Sequence, residues 1–175
     1  MNNNIMLDLE TMGNNPNAAI VAIGAVRFSF EGLLDEFYVP VDLSSCVDAG
    51  LVMDASTVLW WMNQSDEARS YITQNGVPLS RALGEFSDWI GKNPIVWGCG
   101  ADFDNVILSN AYHALSLPLP WKFYNNRCYR TLKSLNKHVK MNRVGTYHNA
   151  VDDAKSQALH LIDIFNQLEV KGDES

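Results

Sequence analysis

The chain has 175 residues, 47% hydrophobic and 19% charged, enough for one domain with a sizeable core and unlike a disordered polyelectrolyte. Its net charge of −7 argues against a broad basic surface for duplex nucleic acid, though not against a small site where bound metal ions supply the positive charge. No run approaches the roughly 18–20 apolar residues of a membrane span, no basic-then-apolar leader opens the chain, and Cys46, Cys99 and Cys128 lie too far apart for a zinc site, so a cytoplasmic protein with reduced thiols is expected.

Residues 5–11 predict a first strand, 20–30 a second and 36–41 a third, with Glu31-Gly32 as a hairpin signal. Three strands so close together predict an antiparallel meander. The period then changes to that of helices. Residues 55–72 predict a helix in two pieces with Ser56 or Thr57 as cap, and 79–92 another with Ser80 as cap. Residues 94–98 predict a short buried strand, 103–115 and 131–139 helices, and 151–168 a last helix with a frayed tail beyond. A meander followed by alternating helices and strands implies a mixed sheet with helices packed on it.

In the stretch "IMLDLETM" (residues 5–12), strand alternation puts Ile5, Leu7 and Leu9 on one face and Met6, Asp8 and Glu10 on the other. Two carboxylates pointing the same way from an apolar strand repel, and they stay ionised cheaply only with something positive between them. A second acidic pair lies in "GADFDNVIL". Asp102 is placed to cap the helix, whereas Asp104 stands one turn before Leu108 on an inward stripe, where a lone charge is costly. A third group is "HNAVDDA", with His148 in a loop and Asp153 five residues on. Taken singly, each acid reads as a cap or a first-turn acid favoured by the helix dipole, and His148 as a packed or surface histidine.

The ordered set resembles the DEDDh 3′–5′ exonucleases, the DnaQ-like group of the ribonuclease H-like superfamily. "DLET" resembles the first motif, "GADFDNVIL" the second and "HNAVDDA" the third, where the histidine variant has His-x4-Asp. "STVLWWMNQSDEA" is also similar to a subgroup of short stand-alone bacterial and phage members, some described as exoribonucleases. The resemblance implies an α/β, ribonuclease H-like fold: a mixed five-stranded sheet, antiparallel meander then parallel strands, flanked by helices. Residues 1–170 would form one exonuclease domain and 171–175 a flexible C-terminal tail. It also implies that Asp8, Glu10, Asp104 and Asp153 bind two divalent ions, Mg²⁺ or Mn²⁺, and that His148 is the general base. The second motif departs from the usual pattern: Gly100-Ala101-Asp102 precede Phe103-Asp104 where the family has Asn or a similar polar residue.

Two such ions generate a nucleophile and stabilise the charge at phosphorus, and four carboxylates match their charge with the oxygen ligands hard cations require. The expected reaction is removal of nucleoside 5′-monophosphates from single-stranded DNA or RNA with a free 3′ end. Thr11 and Met12 follow the first acidic pair and are expected to touch the terminal nucleotide. Trp60 and Trp61, adjacent on a helix, cannot both face the core equally; either one stacks on a base or both are partly buried core aromatics. Tyr124, Arg127, Tyr129 and Arg130 form a basic-aromatic patch suited to phosphate, to a dimer or to packing. Several small relatives suggest a homodimer. The competing readings are a catalytically inactive nucleic-acid-binding module, which would show a missing acid, another ribonuclease H-like nuclease and a small-molecule phosphohydrolase.

Overall fold

A computed structural model describes residues 3–173, with side chains described through Leu168. Five strands, β1 (Asn4–Thr11), β2 (Ile20–Ser29), β3 (Gly32–Pro40), β4 (Ile95–Gly98) and β5 (Asn126–Cys128), lie side by side in the order β3-β2-β1-β4-β5. The β3-β2-β1 pairs are antiparallel, and β1-β4 and β4-β5 are parallel. This is the expected α/β, ribonuclease H-like mixed sheet, meander first and parallel strands after.

Seven α-helices cover it: α1 (Leu43–Asp48), α2 (Ala55–Met62), α3 (Asp66–Ile72), α4 (Leu79–Ile90), α5 (Asp104–Ala114), α6 (Tyr129–Leu135) and α7 (Ala150–Asp173). On one face Ile5, Leu7 and Leu9 pack with Leu83, Phe86 and Leu108; on the other Met6, Val26 and Phe28 pack with Ala154, Ala158 and Leu161 of α7. The alternation of β1 thus turns Asp8 and Glu10 toward α7. Burying a Leu, Ile or Phe side chain contributes roughly 1.5–3 kcal/mol, so these two layers hold the end of β1 in place. Close approach of α7 to the sheet depends on Gly24, which pairs with Asp8 across β2; a Cβ there would collide with the backbone of Ala150 and Val151.

Several boundaries differ from those the pattern predicts. Residues 55–72 do form two helices, but Asp54 holds the first cap position, and Ser65 caps the second by accepting the Ala68 N–H. Ser80 caps nothing: α4 begins after Pro78, the Leu79 N–H is taken by Ser45 Oγ, and Gly91, at φ 76°, ends the helix. Helix α6 starts at Tyr129 rather than 131 because β5 precedes it directly. The short elements α1 and β5 carry too few residues for a periodic signal. Helix α7 continues beyond Leu168 to Asp173, so residues 171–173 of the expected tail are helical, and 174–175 lie outside the described residues.

Candidate active site

A cavity of about 570 Å³ opens where the end of β1, helix α2 and the start of α7 meet. Asp8, Glu10, Thr11, Trp60, Trp61, His148 and Asp153 all line it. Asp104 lies just behind the wall, buried, with one oxygen accepting the Leu9 N–H at 3.1 Å and the other the Cys99 N–H at 2.7 Å. The second motif therefore hooks its carboxylate onto the neighbouring β1 backbone. Phe103, not Asp102, precedes the first residue of α5; Asp102 is exposed and caps nothing, a correction to the expected cap. Gly98, at the end of β4, leaves the room that Asp104 and Asn105 fill.

Asn149 performs the capping at α7, its Oδ1 accepting the Asp152 N–H at 3.1 Å. Asp153, one residue on, turns inward. Its Oδ2 accepts the His148 N–H at 3.3 Å, and its Oδ1 is ion-paired with Arg143. Asp152 turns the other way and accepts the Thr146 N–H at 2.9 Å, so it braces the loop rather than the cavity. One turn further along α7, Gln157 Nε2 donates to Asp8 Oδ1 at 2.7 Å. Ligand atoms of Glu10, His148 and Asp153 lie within 4.8 Å of one another.

Burial pushes Asp8 well above the usual carboxylate range, reinforced by Asp104 and Glu10. Glu10 is raised to about 8 by burial and then by Asp104. Asp104 is raised to about 6 by burial, with the backbone N–H groups of Cys99, Leu9 and Asp104 itself and the Arg130 charge opposing. Desolvation lowers His148, as does the nearby Arg143 charge. The cluster thus strains to bind protons, the condition a divalent cation relieves. Its oxygen-rich donor set suits a hard ion such as Mg²⁺ or Mn²⁺, and the residues present fit that group.

Trp61 is 3% exposed and donates its Nε1–H to the Thr11 carbonyl at 2.9 Å, whereas Trp60 is 44% exposed. Their rings meet edge to face, and the His148 ring stands 5.0 Å from Trp60. His148 sits at φ 61°, a left-handed conformation that a non-glycine residue adopts only under constraint. Met12 does not reach the cavity. It is buried in the core with its backbone N–H and C=O tied to Ala19 and Asp54, so the expected contact from its side chain is not what the fold provides.

Four residues near the cluster were not singled out for it from sequence: Gly24, Arg143 and Gln157, and Arg130, which lines the cavity. Gln157 had a usable signal, lying four residues after Asp153 on the same helical face. Arg143 had none, since it reaches Asp153 through a loop.

Residues 3–165 match the model of the Rv2179c-like 3′-5′ exoribonuclease domain. An exodeoxyribonuclease of Enterobacteria phage T4 is 28% identical over 157 residues, 72% of this chain and 68% of its own. Among solved structures, the nuclease domain of 3′hExo, a DEDDh family member bound to rAMP, superposes with a TM-score of 0.64 at 13% identity, covering 94% of this chain and 92% of that one. Exonuclease X in complex with 5′ overhanging duplex DNA gives 0.60 at 17% identity over 94% and 92%. S. pombe Pop2p in a Mg²⁺- and Mn²⁺-bound form gives 0.61 at 12% identity over 93% and 82%. At these identities the structural likeness establishes the shared fold, while the family match spans nearly the whole chain. The chain belongs to the Rv2179c-like 3′-5′ exoribonuclease domain family.

Proposed function

We propose that residues 1–170 act as one metal-dependent exonuclease domain that shortens single-stranded nucleic acid from a free 3′ end and releases nucleoside 5′-monophosphates. The observation that carries this reading is the convergence of Asp8, Glu10 and Asp153 on one cavity with Asp104 directly behind it. In this reading Asp8, Glu10, Asp104 and Asp153 would hold divalent ions. When bound, such ions lower the pKa of water and neutralise charge developing at phosphorus.

The chain's own groups do the rest. A ring nitrogen of His148, kept neutral by its lowered pKa, accepts the proton of the attacking water. Gln157 holds Asp8 in orientation, and the backbone N–H groups of Leu9 and Cys99 hold Asp104. Thr11 lines the cavity beside Trp60, which offers a ring face to the terminal base. Arg143 pairs with Asp153 and fixes its carboxylate. The family description speaks for RNA and the phage relative for DNA, so both belong in the test. Single strands labelled at the 5′ end should shorten progressively with Mg²⁺ or Mn²⁺ and remain whole in EDTA. Equal activity in EDTA, or shortening from the 5′ end, would overturn the reading. No acid of the set is missing, which disfavours an inactive binding module.

A further inference from the structure

The charge of the chain is strongly segregated. No acidic residue occurs between Asp104 and Asp152, and residues 122–143 carry seven of the thirteen Lys and Arg. The remainder of the chain holds six cations against all twenty acids. In the fold this basic stretch forms a short turn, β5, α6 and the loop that follows along the sheet edge, running from the level of the start of β1 up to Arg130 at the cavity. Arg130 reaches the cavity wall itself, and Lys133 stands one helical turn further on. Arg127, in the edge strand, donates to the carbonyls of Tyr124 and Asn126 at 2.9 Å and so braces the turn that presents Phe123 and Tyr124. Those two rings are 79% and 63% exposed and meet edge to face at 5.4 Å. Among the described residues, no exposed cation from Lys122 to Lys140 is paired with a carboxylate; in the stretch only Arg143 is.

We propose that this edge is a track for the upstream part of a single-stranded nucleic acid whose 3′ end occupies the cavity. Arg130, Arg127 and Lys133 take backbone phosphates, and Phe123 and Tyr124 stack on bases. The inference rests on the exonuclease reading and adds the substrate class: strands of several nucleotides rather than dinucleotides. Cations alone would suit any polyanion; the exposed ring pair beside them selects one that carries bases.

The test measures binding without turnover, with the full chain in EDTA and a labelled single-stranded 12-mer followed by anisotropy across a salt series. The wild type should bind the 12-mer far more tightly than a dinucleotide. Arg127→Gln/Lys133→Gln should flatten the log–log salt dependence by about 1.4, roughly 0.7 for each phosphate left without its cation. Phe123→Ser/Tyr124→Ser should weaken 12-mer binding by roughly 30-fold or more, the loss of two base stacks, with the salt slope kept. With Mn²⁺, both double variants should cleave a dinucleotide at the wild-type rate. Equal wild-type affinity for 12-mer and dinucleotide, unchanged 12-mer binding by the variants, or equal competition by poly-glutamate of matched charge would each overturn the track. Failure of the exonuclease reading shows separately, as a wild type that shortens neither substrate with Mn²⁺.

Discussion

Asp8 and Glu10 share a face because a strand alternates, and they share a cavity with Asp153 because α7 packs on that same face. His148 stands at the mouth of this cluster, five residues before Asp153, its backbone tied to that carboxylate. As the proton acceptor it should be worth about 10²–10⁴-fold in kcat, so His148→Ala should lose that much while metal affinity holds. The rate of the wild type should fall only below pH 6.5, because desolvation shifts the imidazole downward and it stays neutral at higher pH. Rate profiles of both proteins, with a metal titration of the variant, check this; a variant that loses its metals makes His148 a ligand. The adjacent tryptophans divide because neighbouring positions on helix α2 point in different directions, Trp61 inward and Trp60 outward. Trp61→Ala should destabilise the fold by roughly 3–5 kcal/mol. Trp60→Ala should leave the melting temperature nearly unchanged and weaken substrate binding by roughly 1–3 kcal/mol. Thermal melts and equilibrium binding separate the two, and similar unfolding by both would place Trp60 in the core as well. At this scale the inward directions of Asp8, Glu10 and Asp104 were legible because strand and helix registers fix them, whereas His148, in a loop, was singled out by the resemblance of its motif. Arg143 was not legible, since loop closure brings it in, and Arg130, read as part of a basic-aromatic patch, could not be placed at the cavity because the three-residue strand before it carries no periodic signal.

Among the elements, the packing of α7 on β2 decides the site. Gly24 faces the first turn of α7, and its missing side chain lets that turn, with Asp153 in it, reach Asp8. Gly24→Ala should therefore cost roughly 1–3 kcal/mol through overpacking and about 10²-fold in activity through misplacement of Asp153. Gly84→Ala is the control: nothing stands within 4 Å of its added methyl on α4, and it should stabilise by roughly 0.4–1 kcal/mol with activity unchanged. Melting curves and turnover measured on both variants are the check, and equal behaviour of the two would deny Gly24 its role. Long amphipathic helices and apolar strands were readable, as α4 shows with Leu79, Leu83, Phe86 and Ile90 buried at helical spacing. Caps were not. Ser80 and Asp102 are suitable residue types, yet Ser45 from another element serves Leu79, and Asp104 bonds backward to β1 and Cys99. Tertiary partners outcompeted the local ones.

For the whole molecule, the net charge averages an acidic body with a basic edge, which is why the sum alone argued against a broad basic surface for duplex nucleic acid. The acidic cluster also couples folding to pH and metal. Glu10 titrates near 8 in the folded chain against 4.5 for the free side chain, and Asp8 moves the same way. Because the folded pKa is the higher, the stabilisation is complete below 4.5 and is lost as pH rises through 8. Metal-free protein should melt at progressively lower temperature from pH 5 to pH 8, and Mn²⁺ should recover more at pH 8 than at pH 5. A melting temperature independent of pH in EDTA would contradict it.

The central claim is that these carboxylates form a divalent-metal site, and calorimetric titration with Mn²⁺ at pH 7, with a nucleoside 5′-monophosphate present, tests it most directly. The wild type should bind about two ions per chain and release protons, seen as heats that change with the ionisation enthalpy of the buffer. Asp8→Asn should abolish this binding while the chain stays folded. No binding by the wild type, or binding that survives Asp8→Asn, would contradict the claim.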